Sequence, residues 1–222
     1  MPDLSFQVEK AEPVSFAASP LLNFSLRITD KEPGENVDAP RTIHSIALRC
    51  QIRIEPTKRK YEPREQEHLA DLFGEPSRWG QTLRSMLWAH TSLVVPPFAG
   101  STLVELPVPC TFDFNVAATK YFYALGDGEV PLLLLFSGTI FFAGDDGALQ
   151  VAQIPWEKEA SFRLPVPVWK RMMDHYYPNT AWLCLRQDLF DRLNQYKSKR
   201  SLPTWEAALE ELLGEPAERV RP

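Results

Sequence analysis

The chain is predicted to be a mainly β protein of the α+β kind, an immunoglobulin-like β-sandwich with a helical insertion and C-terminal helices. Three observations predict it. Several segments in the first two-thirds alternate apolar and polar residues, as strands do with one face in a core and one in water. The run Val130 to Phe142 is apolar at both parities, as befits a central strand covered on both faces. After Pro167 the apolar spacing becomes that of an amphipathic helix.

Taken in order, Leu4 to Val8 opens the set. Leu22, Phe24, Leu26 and Ile28 alternate with Asn23, Ser25 and Arg27, and Ile46, Leu48, Cys50, Ile52 and Ile54 alternate with Ser45, Arg49, Gln51 and Arg53. Two short helices are then expected as an insertion at about 63–87. The first is Pro63 to Phe73, with Leu69, Leu72 and Phe73 on one face; the second is Arg78 to Leu87, with Leu83, Met86 and Leu87, after a break at Gly74 and Pro76. Strands resume at Leu87 to Val95. From Val104 through Leu106, Val108, Cys110, Phe112 and Phe114 to Val116 the even positions are apolar, against Glu105, Thr111, Asp113 and Asn115. The turn Gly144-Asp145-Asp146-Gly147 follows the central strand and leads, as a hairpin loop would, into Leu149 and Val151. A weaker strand around Phe162 and Leu164 completes seven or eight, a number that suits a sandwich better than an open sheet.

Trp169, Met172, Met173, Tyr176 and Tyr177 fall at i, i+3, i+4, i+7 and i+8, and Pro178 ends that helix. A second helix is expected from Asp188 to Tyr196. A third starts at the N-cap Thr204 and carries Trp205, Ala208, Leu209, Leu212 and Leu213 on one face. The expected organisation is a β-sandwich over 1–165, a helical extension packed on it over 166–213, and a fraying tail over 214–222.

With 222 residues, 44% of them hydrophobic, the chain can bury a core without disulfides or metals. Its net charge of -5 argues against a nucleic-acid partner, whose phosphates need a concentrated basic face. Met1 to Lys10 holds no apolar signal region, and the longest apolar run is interrupted by Pro131 and far too short to span a bilayer. A cytoplasmic location with no membrane span is expected. Cys50, Cys110 and Cys184 are odd in number and widely spaced, which fits buried thiols better than a disulfide framework or a zinc site.

No segment carries a recognisable catalytic, metal or cofactor motif. Gly126-Asp127-Gly128 and the 144–147 turn lack the helix and lysine of a phosphate loop. Ser137 lacks the first glycine of a nucleophile elbow. The four histidines are never paired at ligand spacing. Asp145 with Asp146 reads as turn chemistry, and Glu157 with Glu159 as an alternating solvent face. Lys58-Arg59-Lys60 and Lys197 to Arg200 are short basic runs in an acidic chain, read as solvated faces or, less directly, as partner docking.

The aromatic residues are the better lead, because Trp, Tyr and Met are enriched at interfaces. The stripe Trp169, Met172, Met173, Tyr176 and Tyr177 is the first candidate for partner binding; the same spacing serves a helix that covers the core. Trp79 and Trp88, flanking the inserted helices, are the second.

Six phrases of the chain carry a family resemblance: SIALRCQIRIEP (45–56), LFGEPSRWG (72–80), VVPPFAG (94–100), LPVPCTFDF (106–114), GEVPLLLLFSGT (128–139) and IPWEKEASFRLPVPVW (154–169). Together, over about Asp3 to Leu213, they resemble an uncharacterised bacterial family whose genes lie beside those of actinobacterial-type nickel-iron hydrogenases. The resemblance implies an accessory role in hydrogenase assembly or maturation and supplies no catalytic residues. Direct handling of nickel or iron would call for clustered His or Cys donors, so the expectation is a non-catalytic, protein-binding module without a cofactor. Two other readings compete with it: an enzyme, hydrolase-like, with a site assembled from separated residues such as His90, Asp113 and Glu157, and a holdase-type chaperone.

Overall fold

The structure, a computed structural model, describes residues 1–31, 41–111, 116–144, 146–181 and 183–214. It divides into two compact units, Met1–Pro178 and the segment from Asn179 onward.

The first unit is built on two sheets in which every pairing is antiparallel. In the smaller, β2 (Leu21–Asp30) lies between β1 (Leu4–Pro13) and β6 (Ser101–Pro109). In the larger, β4 (Met86–Val95), β3 (Thr42–Ile54), β7 (Glu129–Ala143) and β8 (Leu149–Gln153) follow in that order. The short β5 (Phe98–Ala99) also pairs with β3, and β9 (Glu159–Pro165) with β7. The alternation read from sequence is the reason for this layout. Leu22, Phe24, Leu26 and Ile28 of β2, and Ile46, Leu48, Cys50, Ile52 and Ile54 of β3, are all buried. Rings join the two inner faces: Phe6 of β1 stacks on Phe136 of β7 with centroids 4.2 Å apart, and Phe24 of β2 meets Phe162 of β9 at 5.6 Å.

Strand β7 is central, as its composition predicts, yet its two faces differ. Val130, Leu132, Leu134, Phe136, Ile140 and Phe142 are buried, whereas Leu133, Leu135 and Phe141 on the other face are half-buried and Ser137 is exposed. Gly138 sits opposite Leu48 with φ 142°, and a Cβ there would lie 2.1 Å from the carbonyl oxygen of Ala47. Only glycine lets β3 and β7 approach so closely at that point.

Helix α1 (Pro63–Phe73) is where the sequence places it. The second inserted helix is much shorter than Arg78 to Leu87: α2 covers only Trp79–Thr82. Met86 and Leu87 instead pair with Ile54 and Arg53 as the start of β4. Arg53 secures this corner through its Nε, which donates to the Ser85 hydroxyl at 2.7 Å, so sheet pairing overrides the local helical spacing. Val116, expected to end a strand, begins α3 (Val116–Ala124); Phe112, Asp113, Phe114 and Asn115 lie outside the described residues. Helix α3 is missed in the sequence because Ala118, Thr119, Tyr121, Phe122 and Ala124 are all buried. Its exposed positions, Val116, Ala117 and Lys120, include one charged residue only, too few polar positions to make a period visible.

Helix α4 (Val166–Tyr176) belongs to the first unit, so the division falls after Pro178 rather than at 165/166. Trp169, Met172 and Met173 are the reason: they join the buried cluster of the sheets. The second unit contains α5 (Gln187–Lys199) and α6 (Trp205–Leu213). Thr204 caps α6 as expected, its hydroxyl accepting from the Ala207 N–H at 3.1 Å. Phe190 packs on Trp205 at 5.3 Å, Lys197 lies over the same indole and Arg200 pairs with Glu211 at 2.9 Å. The tail expected from Gly214 to Pro222 lies, beyond Gly214, outside the described residues. Among those described, no helix is long and apolar enough to cross a membrane.

Candidate functional site

Most of the aromatic candidates face inward. The Trp169 ring stacks on Phe122 with centroids 4.7 Å apart and meets Tyr123 edge-on at 4.9 Å. Trp169, Met172 and Met173 are no more than 1% exposed. Trp79 is buried against Tyr61 and Phe73, with its indole N–H donating to the Gly74 carbonyl at 2.9 Å, and Trp88 is buried against Phe24 and Phe122. These five side chains close the core. Tyr176 and Tyr177 are half-buried, and the Tyr176 hydroxyl donates to the Ala17 carbonyl at 2.8 Å. Of the separated residues of the enzyme reading, His90 and Glu157 are not brought together: His90 is exposed on β4, Glu157 is exposed on the turn between β8 and β9, and β3 and β7 run between them. Asp113 lies outside the described residues.

Two exposed surfaces replace the aromatic stripe. The first is the free flank of the larger sheet. Strand β8 pairs with β7 alone, through Phe141 opposite Val151 and Ala143 opposite Leu149, and among the described residues no strand lies on its other side. Its five residues, Leu-Gln-Val-Ala-Gln, carry no charge. Leu149 and Val151 are 63% and 58% exposed, and Trp156, on the following turn, is 89% exposed. Edge strands are ordinarily blunted by charge, proline or a bulge; β8 has an apolar outer face instead.

The second is a cleft of about 880 Å³ formed by the first turn of α1, the segment Lys58–Lys60, the loop before β7, and Arg163 and Lys170. Its frame is an ion pair. Arg59 Nη2 lies 2.7 Å from Glu65 Oε1 and donates to the Asp127 carbonyl at 2.7 Å, while Nη1 donates to the Glu129 carbonyl at 2.8 Å. Glu65 Oε1 also accepts from the Gly126 N–H at 2.8 Å, and Oε2 accepts from the Glu62 N–H at 3.1 Å, closing the capping box of α1. Both side chains are at least nine-tenths buried, and such a pair persists only when hydrogen bonds satisfy its remaining atoms. Beside it the Tyr61 and Tyr121 hydroxyls lie 2.9 Å apart. The basic run at Lys58 is thus part of a shaped site, which spacing alone does not reveal.

The cysteines divide. Cys50 and Cys110 are buried as expected and Cys184 is exposed, a correction to the reading of all three as buried thiols. Burial pushes the Cys50 and Cys110 thiols up from 9.0 to about 12, and Tyr61 up from 10.0 to about 12. Only the thiolate reacts quickly, so near neutral pH an alkylating reagent is expected to label Cys184 in the native protein and all three thiols in denaturant. Because the unfolded chain ionises these groups first, each contributes stability that is complete below pH 9.0 and fades as pH rises toward about 12. Unfolding at alkaline pH, followed by circular dichroism, is expected to fall in that window; a fold unchanged up to pH 12 would contradict the burial of both thiols.

Among the described residues, no three His, Cys, Asp or Glu side chains are grouped to hold a metal ion. The profile of the DUF6084 family, a family of unknown function, matches residues 1–221. No curated protein matches the chain. Among solved structures, one from Bordetella pertussis, named as the ApaA protein, is similar at 14% identity over 73% of this chain and 93% of that one, with a TM-score of 0.23. That likeness is too slight to bear on fold or function.

Proposed function

We propose that this chain, which belongs to the DUF6084 family of unknown function, is a non-catalytic accessory module that binds a protein partner along the β8 edge. The observation that carries the reading is the uncharged edge strand itself, with Leu149 and Val151 exposed on it and Trp156 exposed on the following turn. An extended partner segment added there would gain backbone hydrogen bonds from the open edge and apolar contacts from alternate side chains. The sheet order supports an immunoglobulin-like sandwich, since β1-β2-β6 and β4-β3-β7-β8 take the places of strands A-B-E and C′-C-F-G. The family resemblance adds a setting, an accessory role within the cell in assembling or maturing a nickel-iron hydrogenase, and hence a hydrogenase subunit or maturation protein as the partner.

The test is affinity capture of the tagged protein from its native host, compared with a Leu149→Lys, Val151→Lys variant. Both positions are exposed, so the variant is expected to keep the wild-type melting curve, while two lysines on an edge strand oppose pairing with another chain. Recovery of hydrogenase or maturation proteins by the wild type, and their loss in the folded variant, is the expected result. Equal recovery by both proteins would remove the β8 edge from the interaction, and recovery of some other single partner would refute the hydrogenase setting.

A further inference from the structure

We infer that the cleft framed by Arg59 and Glu65 is a binding site for a phosphate-bearing small molecule, separate from the β8 edge. Its charge runs against the rest of the chain. Six of the residues lining it are Lys or Arg and four are Asp or Glu, in a protein whose net charge is -5.

The acids are also largely engaged. Glu65 is held by Arg59 and by two backbone N–H groups, Glu62 caps the first turn of α1, and Glu129 lies 4.0 Å from Arg163. Among the described residues Lys60 and Arg64 have no carboxylate within ion-pair distance, and the only side-chain hydrogen bond of Lys170 is a long one, 3.4 Å, to the Gly126 carbonyl. Three cationic side chains therefore line one concavity without acidic partners. In a recess, where the dielectric falls below that of bulk water, their attraction for an anion is stronger than on a flat surface.

The floor adds a further observation. Although Arg59 makes three contacts through Nη1 and Nη2, to Glu65, Asp127 and Glu129, it keeps a buried Nε with no hydrogen-bond partner among the described residues. A buried, unmatched donor of a charged group is costly, and Arg59 is one of the residues that line this cleft. Phosphate suits the three cations better than a single carboxylate does. It presents oxygens in several directions, and both the Arg fork and the compact Lys ammonium bind it well. Tyr123, half-buried on the same wall, offers apolar surface to an organic remainder, and the volume of about 880 Å³ accommodates a nucleotide-sized molecule.

The experiment is isothermal titration of the full chain with inorganic pyrophosphate, adenosine monophosphate and citrate, repeated on a Lys60→Ala, Arg64→Ala variant. Both side chains are exposed, so the variant is expected to melt with the wild type. Saturable binding of a phosphate probe, weaker by at least about tenfold in the variant, or roughly 1.4 kcal/mol, is the expected result. Pyrophosphate tighter than adenosine monophosphate would place recognition in the phosphates, and the reverse order would bring in the Tyr123 ring; either is consistent with the site. The inference is overturned if no phosphate probe binds up to millimolar concentration, if the variant binds as tightly as the wild type, or if citrate matches the phosphates.

Discussion

Replacing Gly138 by alanine is expected to destabilise the protein by roughly 4 kcal/mol, as strained backbone and overpacking each contribute about 1–3 kcal/mol. The added Cβ would stand 2.1 Å from the Ala47 carbonyl oxygen, and that atom belongs to the backbone of the neighbouring strand. It cannot swing aside as the end of a side chain could. Relief would require β3 and β7 to separate, and they are the two central strands of the larger sheet. The φ of 142° adds a conformation that L-residues rarely adopt. Gly147 supplies the comparison: its φ of 78° is also positive, but a Cβ there meets nothing within 4 Å. Gly147→Ala should show the backbone cost alone, about 1 kcal/mol. Urea unfolding of the two variants separates the terms. A Gly138→Ala midpoint no lower than that of Gly147→Ala would mean that the close approach of β3 and β7 is absent.

Trp169→Ala is expected to cost about 3–5 kcal/mol, the usual range for deleting a large aromatic side chain from a core. Its indole stacks on Phe122 and is met edge-on by Tyr123, and it shares the buried cluster with Met172 and Met173. The variant would leave a cavity among α3, α4 and β4 and lose the near-ultraviolet signal of the stacked rings. A Trp169→Ala protein that melts with the wild type would show that the stripe is not packed inward and would restore it as a binding surface. For the same reason this substitution is a poor probe of partner binding. Loss of capture would report unfolding, whereas Leu149 and Val151 can be changed without touching the core.

The strands were legible where one face is buried and the other wet. Leu22 to Ile28 and Ile46 to Ile54 declare their inward side in the sequence, and the structure buries those residues. Pro63 to Phe73 and Thr204 were legible because a proline or a capping hydroxyl acts locally on the first turn of a helix. The segment Leu83 to Leu87 misled because three apolar residues fit either period, and pairing with Arg53 and Ile54 chose the strand. Helix α3 could not be read because its exposed face, Val116, Ala117 and Lys120, holds a single charged residue and gives almost no polar period.

Neither surface was visible in the same way. Leu149 and Val151 look like any half-buried strand until the sheet order leaves β8 at the edge. The Lys58 run looks like a solvated charge cluster until Arg59 meets Glu65, Asp127 and Glu129.

By itself the sequence determined the class of the protein, the position of most strands, and the local starts of its helices, because periodicity and capping depend on neighbours a few residues apart. Only the tertiary structure decided that the aromatic stripe of α4 turns inward, that β8 is left open, and that the cations of the cleft converge. Those outcomes depend on which distant segments become neighbours, and hydrophobic burial, being non-directional, does not encode them in the order of any single segment.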